Sequence, residues 1–412
     1  MSWFTRTFLV QPLESIFFGP PRSFSAGEAH RAESVFPPSP FTFQGLVRSQ
    51  LLRGTEPPLD LDDWSETARQ ERERLVGSPD TLPLGWQLQG PFPARVTAGA
   101  DPDREAQVEP WVPTPRFLLG EPRRPWHARP VISTHPGLND LNVNEAREPF
   151  LLCGRPEVEA VDKSLGGWIG PANLYFALVG EEQASWQPEQ HHPNLPPFVE
   201  REHQPGLAIE PGTGTARFGL LYSLESLRFK GDAGLLGSFR GWLHERLSIT
   251  ALESATGNAG RKGRLVRFLG VERFHPAWEK LIEGKHLPAE VSESATFWLL
   301  AVTPVRLTDS CIPQVRFTAP WGVSYHVLAA LTGHPITLGG YRMATGKSRP
   351  NRLYIPAGSA WLIRLEGGNP QDRSWFLRQL NNANSLGPGE EAAFGFGHTL
   401  VGLGPAATKE NL

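Results

Sequence analysis

Four glycines are spaced through ten residues near the end of the sequence: Gly395-Phe396-Gly397-His398-Thr399-Leu400-Val401-Gly402-Leu403-Gly404. Glycine loses more backbone entropy on folding than any other residue, so this density has a physical cause. One cause is a backbone lying against a ligand, with N–H groups free to bind phosphate oxygens. The other is a glycine-rich turn or bulge within the fold. No Lys-Ser or Lys-Thr pair follows the glycines, which excludes a Walker loop.

Composition limits the class of protein. The chain has 412 residues, enough for two or three domains. Its formal net charge of −3 argues against polyanion binding by the whole surface, but it allows a local basic face. Cys153 and Cys311 are the only cysteines, so a disulfide framework and a Cys-based zinc site are excluded. No apolar run reaches the ~20 residues of a membrane helix. We expect a cytoplasmic protein with no membrane association, no metal and no other cofactor.

Apolar periodicity indicates more strands than helices. Alternation predicts strands at 3–10, 218–229, 265–274 and 355–365, and a short strand at 176–180. Prolines at 37, 38 and 40 suit the start of a helix that continues over 43–52 and carries Arg48. Acids before arginines predict a second helix at 60–75, because that order matches the helix dipole. The pattern indicates an α+β fold with long Pro/Gly-rich insertions.

Two segments combine cations with aromatic residues or glycines. The first spans 17–34 and offers Arg22, Phe24, His30 and Arg31, a combination suited to pairing with phosphates and stacking on bases of single-stranded nucleic acid. The alternative is an ordered loop whose aromatic side chains are buried beneath it.

The second segment spans 339–352 and has no acid among its cations, which are Arg342, Lys347, Arg349 and Arg352. Such a loop can follow a phosphate backbone, and the alternative is a solvated charged loop. Its Gly-Lys-Ser triplet does not predict a P-loop, since Pro350 follows where a helix would begin.

Signatures of known catalytic sites are missing. The sequence has no His-Glu-x-x-His zinc motif and no Gly-x-Ser-x-Gly nucleophile elbow. A metal-independent ribonuclease needs only a positioned His or Lys, but nothing in the sequence pairs His30, His127 or His398 with a partner. We therefore predict no catalytic residue.

The N-terminal region has a specific resemblance. Phe-Phe-Gly-x-x-Arg-Ser-Phe-x-Ala-Gly-Glu at 17–28, the proline-rich 34–40 and Gly-Leu-Val-Arg-Ser at 45–49 resemble the RAMP-type subunit of type III-B CRISPR (Cmr) effector complexes that caps the 5′ tag of the crRNA. The resemblance continues at 219–229, at 356–359 and in the terminal glycine run. It covers both ends and the middle of the chain.

This resemblance implies two ferredoxin-like (RRM-like) domains, which we set at 1–205 and at 206–412, the second ending in the glycine-rich loop. It implies a noncatalytic RNA-binding subunit that holds the crRNA 5′ tag and bridges the large polymerase-like subunit to the backbone RAMP subunit, with no DNA contact of its own. The tag-holding elements of the family correspond here to the loop at 22–31, the helix with Arg48 and the glycine loop.

Chemistry then suggests which residues contact RNA. Arginines would hold phosphates, Phe18 or Phe24 would stack on a base, and the glycine loop would lie against the RNA with His398 as a donor. The full set of predicted RNA-binding residues is Arg22, Phe24, His30, Arg31, Arg48, Arg342, Lys347, Arg349, Arg352, Gly395, Gly397 and His398. Two alternatives stay open, namely a metal-independent guide-RNA-processing endoribonuclease of the RAMP superfamily, and a β-rich protein whose glycine loop is structural.

Overall fold

The computed structural model describes most of the chain. The described residues are 2–20, 31–97, 106–121, 124–127, 129–131, 152–154, 164–179, 186–210, 212–260, 263–306 and 320–405. The described residues contain both helices and strands, with strands predominating, which confirms an α+β protein. No helix of these described segments combines the length and apolarity needed to cross a bilayer.

The secondary structure comprises the following elements. The helices are α1 Pro40–Arg53, α2 Glu66–Val76, α3 Pro171–Val179, α4 Pro276–Ile282, α5 Pro370–Leu380 and α6 Gly389–Ala393. The strands are β1 Ser2–Pro12, β2 Arg31–Glu33, β3 Gln87–Thr97, β4 Gln107–Pro110, β5 Val112–Pro113, β6 Leu118–Glu121, β7 Arg124–His127, β8 Arg129–Val131, β9 Leu152–Gly154, β10 Trp168–Ile169, β11 His191–His192, β12 Val199–Ile209, β13 Ala216–Phe229, β14 Ala233–Leu243, β15 Ser254–Ala259, β16 Arg264–Gly270, β17 Thr296–Ala301, β18 Val305–Arg306, β19 Ser324–Leu331, β20 Ile336–Arg342, β21 Lys347–Ile355, β22 Ala360–Glu366, β23 Ala383–Asn384 and β24 His398–Leu403.

Most predicted elements are confirmed, and one is wrong. β1 covers the predicted strand at 3–10, and α1 begins at Pro40 because the Ser39 hydroxyl accepts a hydrogen bond from the Thr42 N–H. Residues 176–179 of the strand predicted at 176–180 are instead the end of α3, and residue 180 lies outside the described residues. A short apolar run fits a buried strand or a buried helix equally well, so its hydrophobic periodicity could not distinguish the two.

Two antiparallel sheets form the body of the protein. The first has the order β15-β16-β1-β14-β3-β4 and the second β19-β22-β17-β24-β23. Four neighbouring strands of each sheet, numbered along the chain, lie in the order 4-1-3-2, as β16-β1-β14-β3 and as β24-β17-β22-β19. Smaller sheets are β11-β10-β5, β12-β13-β2, β18-β21-β20, β6-β7 and β8-β9.

The sheets do not follow the predicted division of the chain at residue 205. That residue lies inside β12, and β14, β15 and β16 beyond it complete the first sheet. The change from the first sheet to the second therefore comes after Gly270, where β16 ends.

Apolar side chains are buried on both faces of each main sheet. Leu9 and Phe92 of the first sheet share one core with Trp298 and Leu362 of the second. The opposite face of the first sheet packs against α1, and that of the second packs against α5. This arrangement fixes α1 on the surface of the first sheet, where it forms one wall of a cleft.

Candidate nucleic-acid interface

A cleft of about 990 Å³ lies between α1, α2, the segment 17–20 and the β20–β21 hairpin. Five arginines and one acid, Glu73, line it, and two further acids pair with lining arginines, Glu66 with Arg69 and Asp80 with Arg342 and Arg349, so positive charge remains in excess. The arginines are Arg48, Arg69, Arg72, Arg342 and Arg349. The cleft therefore supplies the local basic face that a chain of net charge −3 leaves open.

The β20–β21 hairpin carries exposed apolar side chains beside these cations. Arg342 pairs with Lys347 across the hairpin end, and Gly346 completes the turn in the left-handed region with φ 65°. Tyr341 is 59% exposed and Met343 is 73% exposed, and both line the cleft. An exposed aromatic ring beside arginines can stack on a nucleic-acid base. Our sequence reasoning missed Tyr341, although its position between glycine and arginine was a usable signal.

Asp80 fixes the hairpin to the segment between α2 and β3. One carboxylate oxygen of Asp80 accepts from Arg342 Nη2 at 2.8 Å and from Arg349 Nη1 at 2.8 Å. Arg349 also donates to the Pro79 carbonyl, and its guanidinium carbon lies 4.4 Å from the centre of the Phe41 ring. Burial lowers the pKa of Arg349, and Asp80 acts in the opposite direction.

Arg48 lines the cleft, but its donors are largely used within the protein. Its guanidinium donates to Gln44 Oε1 at 2.9 Å, to the Gly77 carbonyl at 2.5 Å and to the Ser78 carbonyl at 2.8 Å. Burial, and then the charge of Arg349, lower the pKa of Arg48 to about 10. The prediction that Arg48 holds a phosphate is thus corrected, because these donors join α1 to the end of α2.

The glycine loop is buried, and its N–H groups are already used. Gly395 donates to the Ala392 carbonyl at 3.0 Å and Gly397 donates to the Pro304 carbonyl at 2.9 Å. A Cβ at Gly397 would lie 1.9 Å from the Leu386 carbonyl oxygen, and one at Gly395 would lie 2.7 Å from the Gly90 carbonyl oxygen. The backbone approaches other parts of this chain closely, so the predicted contact of these glycines with RNA is corrected.

His398 is also inside the protein. Its side chain is 0% exposed, and its Nδ1 lies 2.8 Å from Asn384 Oδ1. Burial lowers the pKa of His398 to about 3. A neutral imidazole without exposed surface cannot donate to an RNA phosphate, and this corrects its predicted role.

The glycine run instead packs against the β20–β21 hairpin and against α1. The centre of the Phe396 ring lies 4.9 Å from that of Tyr354 in β21 and 4.7 Å from that of Phe41 in α1. Glu391, a few residues earlier, accepts hydrogen bonds from Arg352 and from the Tyr354 hydroxyl. The run therefore positions the two walls of the cleft.

The remaining predicted residues fall in several places. Arg22, Phe24 and His30 lie outside the described residues, and Arg31 belongs to β2, which pairs in parallel with β13. Pro20, the last described residue before that gap, lines the cleft. Lys347 and Arg352 are on the hairpin but do not line the cleft, and Arg352 donates to Glu391. The structure thus brings together three predicted residues, Arg48, Arg342 and Arg349.

Two further observations concern chemistry at this site. Phe18, considered for base stacking, is 4% exposed and belongs to the core. Among the described residues, no group of three or more His, Cys, Asp or Glu side chains is arranged to hold a metal ion.

Comparison with known proteins decides the family. The family model described as CRISPR-associated protein (Cas_Cmr3) matches residues 8–403, which is nearly the whole chain. This chain belongs to the Cas_Cmr3 family. The resemblance inferred from the N-terminal motifs is confirmed at this level.

Solved structures and curated sequences were also compared with this Cas_Cmr3 member. It is similar to a chain in a cryo-EM structure of the Type III-B Cmr-beta bound to cognate target RNA, with 14% identity, a TM-score of 0.42 and coverage of 87% of this chain and 86% of that one. A second structure, with cognate target RNA and AMPPnP in state 1, gives 15% identity, a TM-score of 0.41 and the same coverage. No curated protein sequence matches.

Proposed function

We propose that this protein is the noncatalytic RNA-binding subunit of a type III-B CRISPR effector complex and that it holds the 5′ tag of the crRNA. Membership of the Cas_Cmr3 family supports this proposal. The single observation that carries it is the cleft of about 990 Å³, in which five arginines lie beside the exposed Tyr341.

The cleft has the two components that single-stranded RNA requires. Guanidinium groups pair with phosphates and release counterions, and an exposed aromatic ring stacks on a base whatever its identity. Arg72 is the clearest candidate for a phosphate contact, because within the described part of the chain its side chain makes a single hydrogen bond, to the Leu61 carbonyl at 3.4 Å. Its guanidinium also lies 5.5 Å from the centre of the Trp64 ring, which orients it.

We further propose that the two main sheets are the cores of two ferredoxin-like domains. Their shared strand order 4-1-3-2 supports this, because a β-α-β-β-α-β unit inserts its third strand between the first two. Helices α1 and α2 follow the first strand of one sheet, and α5 precedes the fourth strand of the other. The partners in this proposal are the large polymerase-like subunit and the backbone RAMP subunit, and they follow from the family alone.

A pair of arginines on one helix tests the proposal. Arg72 and Arg74 both lie on α2, but Arg72 lines the cleft and the exposed Arg74 does not. We expect Arg72→Ala to weaken binding of tagged crRNA about ten-fold, or ~1.4 kcal/mol, and Arg74→Ala to change it little. The dependence of log K on log salt should become shallower by ~0.7 in Arg72→Ala only, because one phosphate contact is lost.

The RNA itself provides the second comparison. Fluorescence anisotropy with a labelled crRNA, and with the same RNA whose 5′ tag is replaced by spacer sequence, should show preference for the tagged form. Equal losses in Arg72→Ala and Arg74→Ala would refute the cleft as the binding site. A discrete cut in repeat RNA incubated with the protein without metal would instead establish the endoribonuclease alternative.

A further inference from the structure

The cleft contains a pair of arginines that are arranged around one anion. Arg342 donates from Nε at 3.1 Å and from Nη2 at 2.8 Å, and Arg349 donates from Nη1 at 2.8 Å, all to the same Oδ1 of Asp80. Three converging N–H donors on one oxygen are typical of a site for an oxyanion. The Asp80 side chain is 53% exposed, whereas that of Arg349 is 9% exposed.

Arg349 is held by contacts that do not involve Asp80. The Pro79 carbonyl accepts from Arg349, and the Phe41 ring lies beneath its guanidinium. Arg342 belongs to β20 next to the hairpin turn, and within the described residues its side-chain hydrogen bonds go to Asp80. The Arg349 guanidinium would therefore keep its position if the carboxylate moved away, and the Arg342 guanidinium would be released to pair with the incoming anion.

Positive charge exceeds negative charge at this point of the cleft. Burial chiefly lowers the pKa of Arg48 and that of Arg349, and a neighbouring arginine adds to this in each case, namely Arg349 for Arg48 and Arg342 for Arg349. Asp80 is the carboxylate that opposes this for Arg349. An additional negative charge would be stabilised here.

We infer that the Arg342–Arg349 pair is a phosphate-binding site that Asp80 occupies in the free protein, and that a phosphate of the bound RNA replaces the Asp80 carboxylate. The inference rests on the proposed function for the identity of that RNA. The Asp80 carboxylate is 53% exposed and regains water when it leaves, so the exchange costs little on the Asp80 side, while the phosphate pairs with the buried Arg349 in its place. A phosphate offers more acceptor oxygens for the same fork-shaped donors.

This exchange gives Asp80 a role in selectivity. While the carboxylate occupies the site, a polyanion must compete with it. RNA that is weakly bound or wrongly placed therefore gains less binding free energy from the two arginines. The same contact holds the hairpin against the segment between α2 and β3 until RNA arrives. Asp80 is thus a positioning residue that also limits affinity.

Three variants separate these effects in RNA binding. Asp80→Asn removes the competing charge, and we expect it to bind tagged crRNA about five-fold more tightly, because the RNA phosphate no longer displaces a half-exposed carboxylate. Asp80→Glu keeps the carboxylate and should bind like the wild type. Glu253→Gln removes an equal charge from an ion pair with Arg6 outside the cleft, and it corrects for the general change in net charge.

Inorganic pyrophosphate tests the site without RNA. Thermal unfolding in increasing pyrophosphate should show saturable stabilisation of Asp80→Asn, with half-saturation at about five-fold lower concentration than for the wild type. The double variant Asp80→Asn/Arg342→Ala should lose this stabilisation.

The outcomes separate the site from the proposed function. Pyrophosphate stabilisation of Asp80→Asn that is no stronger than that of Glu253→Gln would overturn the inference, as would weaker RNA binding by a folded Asp80→Asn. Failure of every variant to bind tagged crRNA, with the pyrophosphate effect intact, would refute the proposed function and support the anion site.

Discussion

Replacing Gly397 by alanine tests why the terminal glycines are required. Gly397 has φ +65°, and a Cβ there would lie 1.9 Å from the backbone oxygen of Leu386. The left-handed conformation costs alanine about 1 kcal/mol, and relieving the overlap with a fixed carbonyl adds roughly 2 kcal/mol. We therefore expect Gly397→Ala to lower the free energy of unfolding by about 3 kcal/mol.

Gly166 provides a matched control for this variant. It also has φ +65°, but nothing lies within 4 Å of a Cβ built on it. Gly166→Ala should therefore cost only the conformational part, about 1 kcal/mol. The difference between the two variants isolates the close approach to Leu386.

Urea unfolding followed by tryptophan fluorescence measures both costs, and the midpoints should shift at unchanged slope. Crosslinking or anisotropy on the folded fraction should show normal affinity of Gly397→Ala for tagged crRNA. Equal stability of the two alanine variants would refute the packing explanation. Full stability combined with lost RNA binding would show that this glycine contacts RNA after all.

Three further outcomes are expected. Burial lowers the pKa of His398 to about 3, so between pH 6.5 and 3 the unfolded chain binds a proton that the folded chain does not. The free energy of unfolding should therefore fall by up to ~1.4 kcal/mol for each pH unit that the pH is lowered in this range. In His398→Gln, urea unfolding should show a weaker dependence of this free energy on pH. We expect Glu391→Gln to lower the free energy of unfolding by ~2 kcal/mol in the same assay, because Arg306 and Arg352 lose the carboxylate that they share. The loss is moderate because the Arg352 side chain is 46% exposed. Tyr341→Ala should weaken RNA binding by ~1–3 kcal/mol while Tyr341→Phe retains it, and equal loss in both would contradict stacking.

Local signals in the sequence were sufficient for much of the fold. β1 and α1 are long and strongly patterned, and Ser39 followed by Pro40 marks the start of α1. The run at 176–180 was ambiguous, since its helical state depends on burial in the core between the sheets. The division at residue 205 failed to follow the sheets because β14 and β16 pair with β1 across more than 200 residues, which no local pattern reveals.

The candidate site was predictable in part for similar reasons. The cations of the β20–β21 hairpin and Arg48 are visible in the sequence, and the fold brings them to one cleft. The glycines also signalled a close approach, but the signal is the same whether the neighbour is RNA or the chain itself. Asp80 was not foreseen, because its bond to Arg342 joins residues 262 positions apart.

The most direct measurement is zero-length photocrosslinking of crRNA within the native effector assembly, followed by mass spectrometry of the nucleotide-bearing peptides. The account predicts that nucleotides of the 5′ tag attach to this chain at the cleft, above all at the exposed Tyr341 and Met343. Tag nucleotides attached only to other subunits, or to surfaces of this chain away from the cleft, would contradict it.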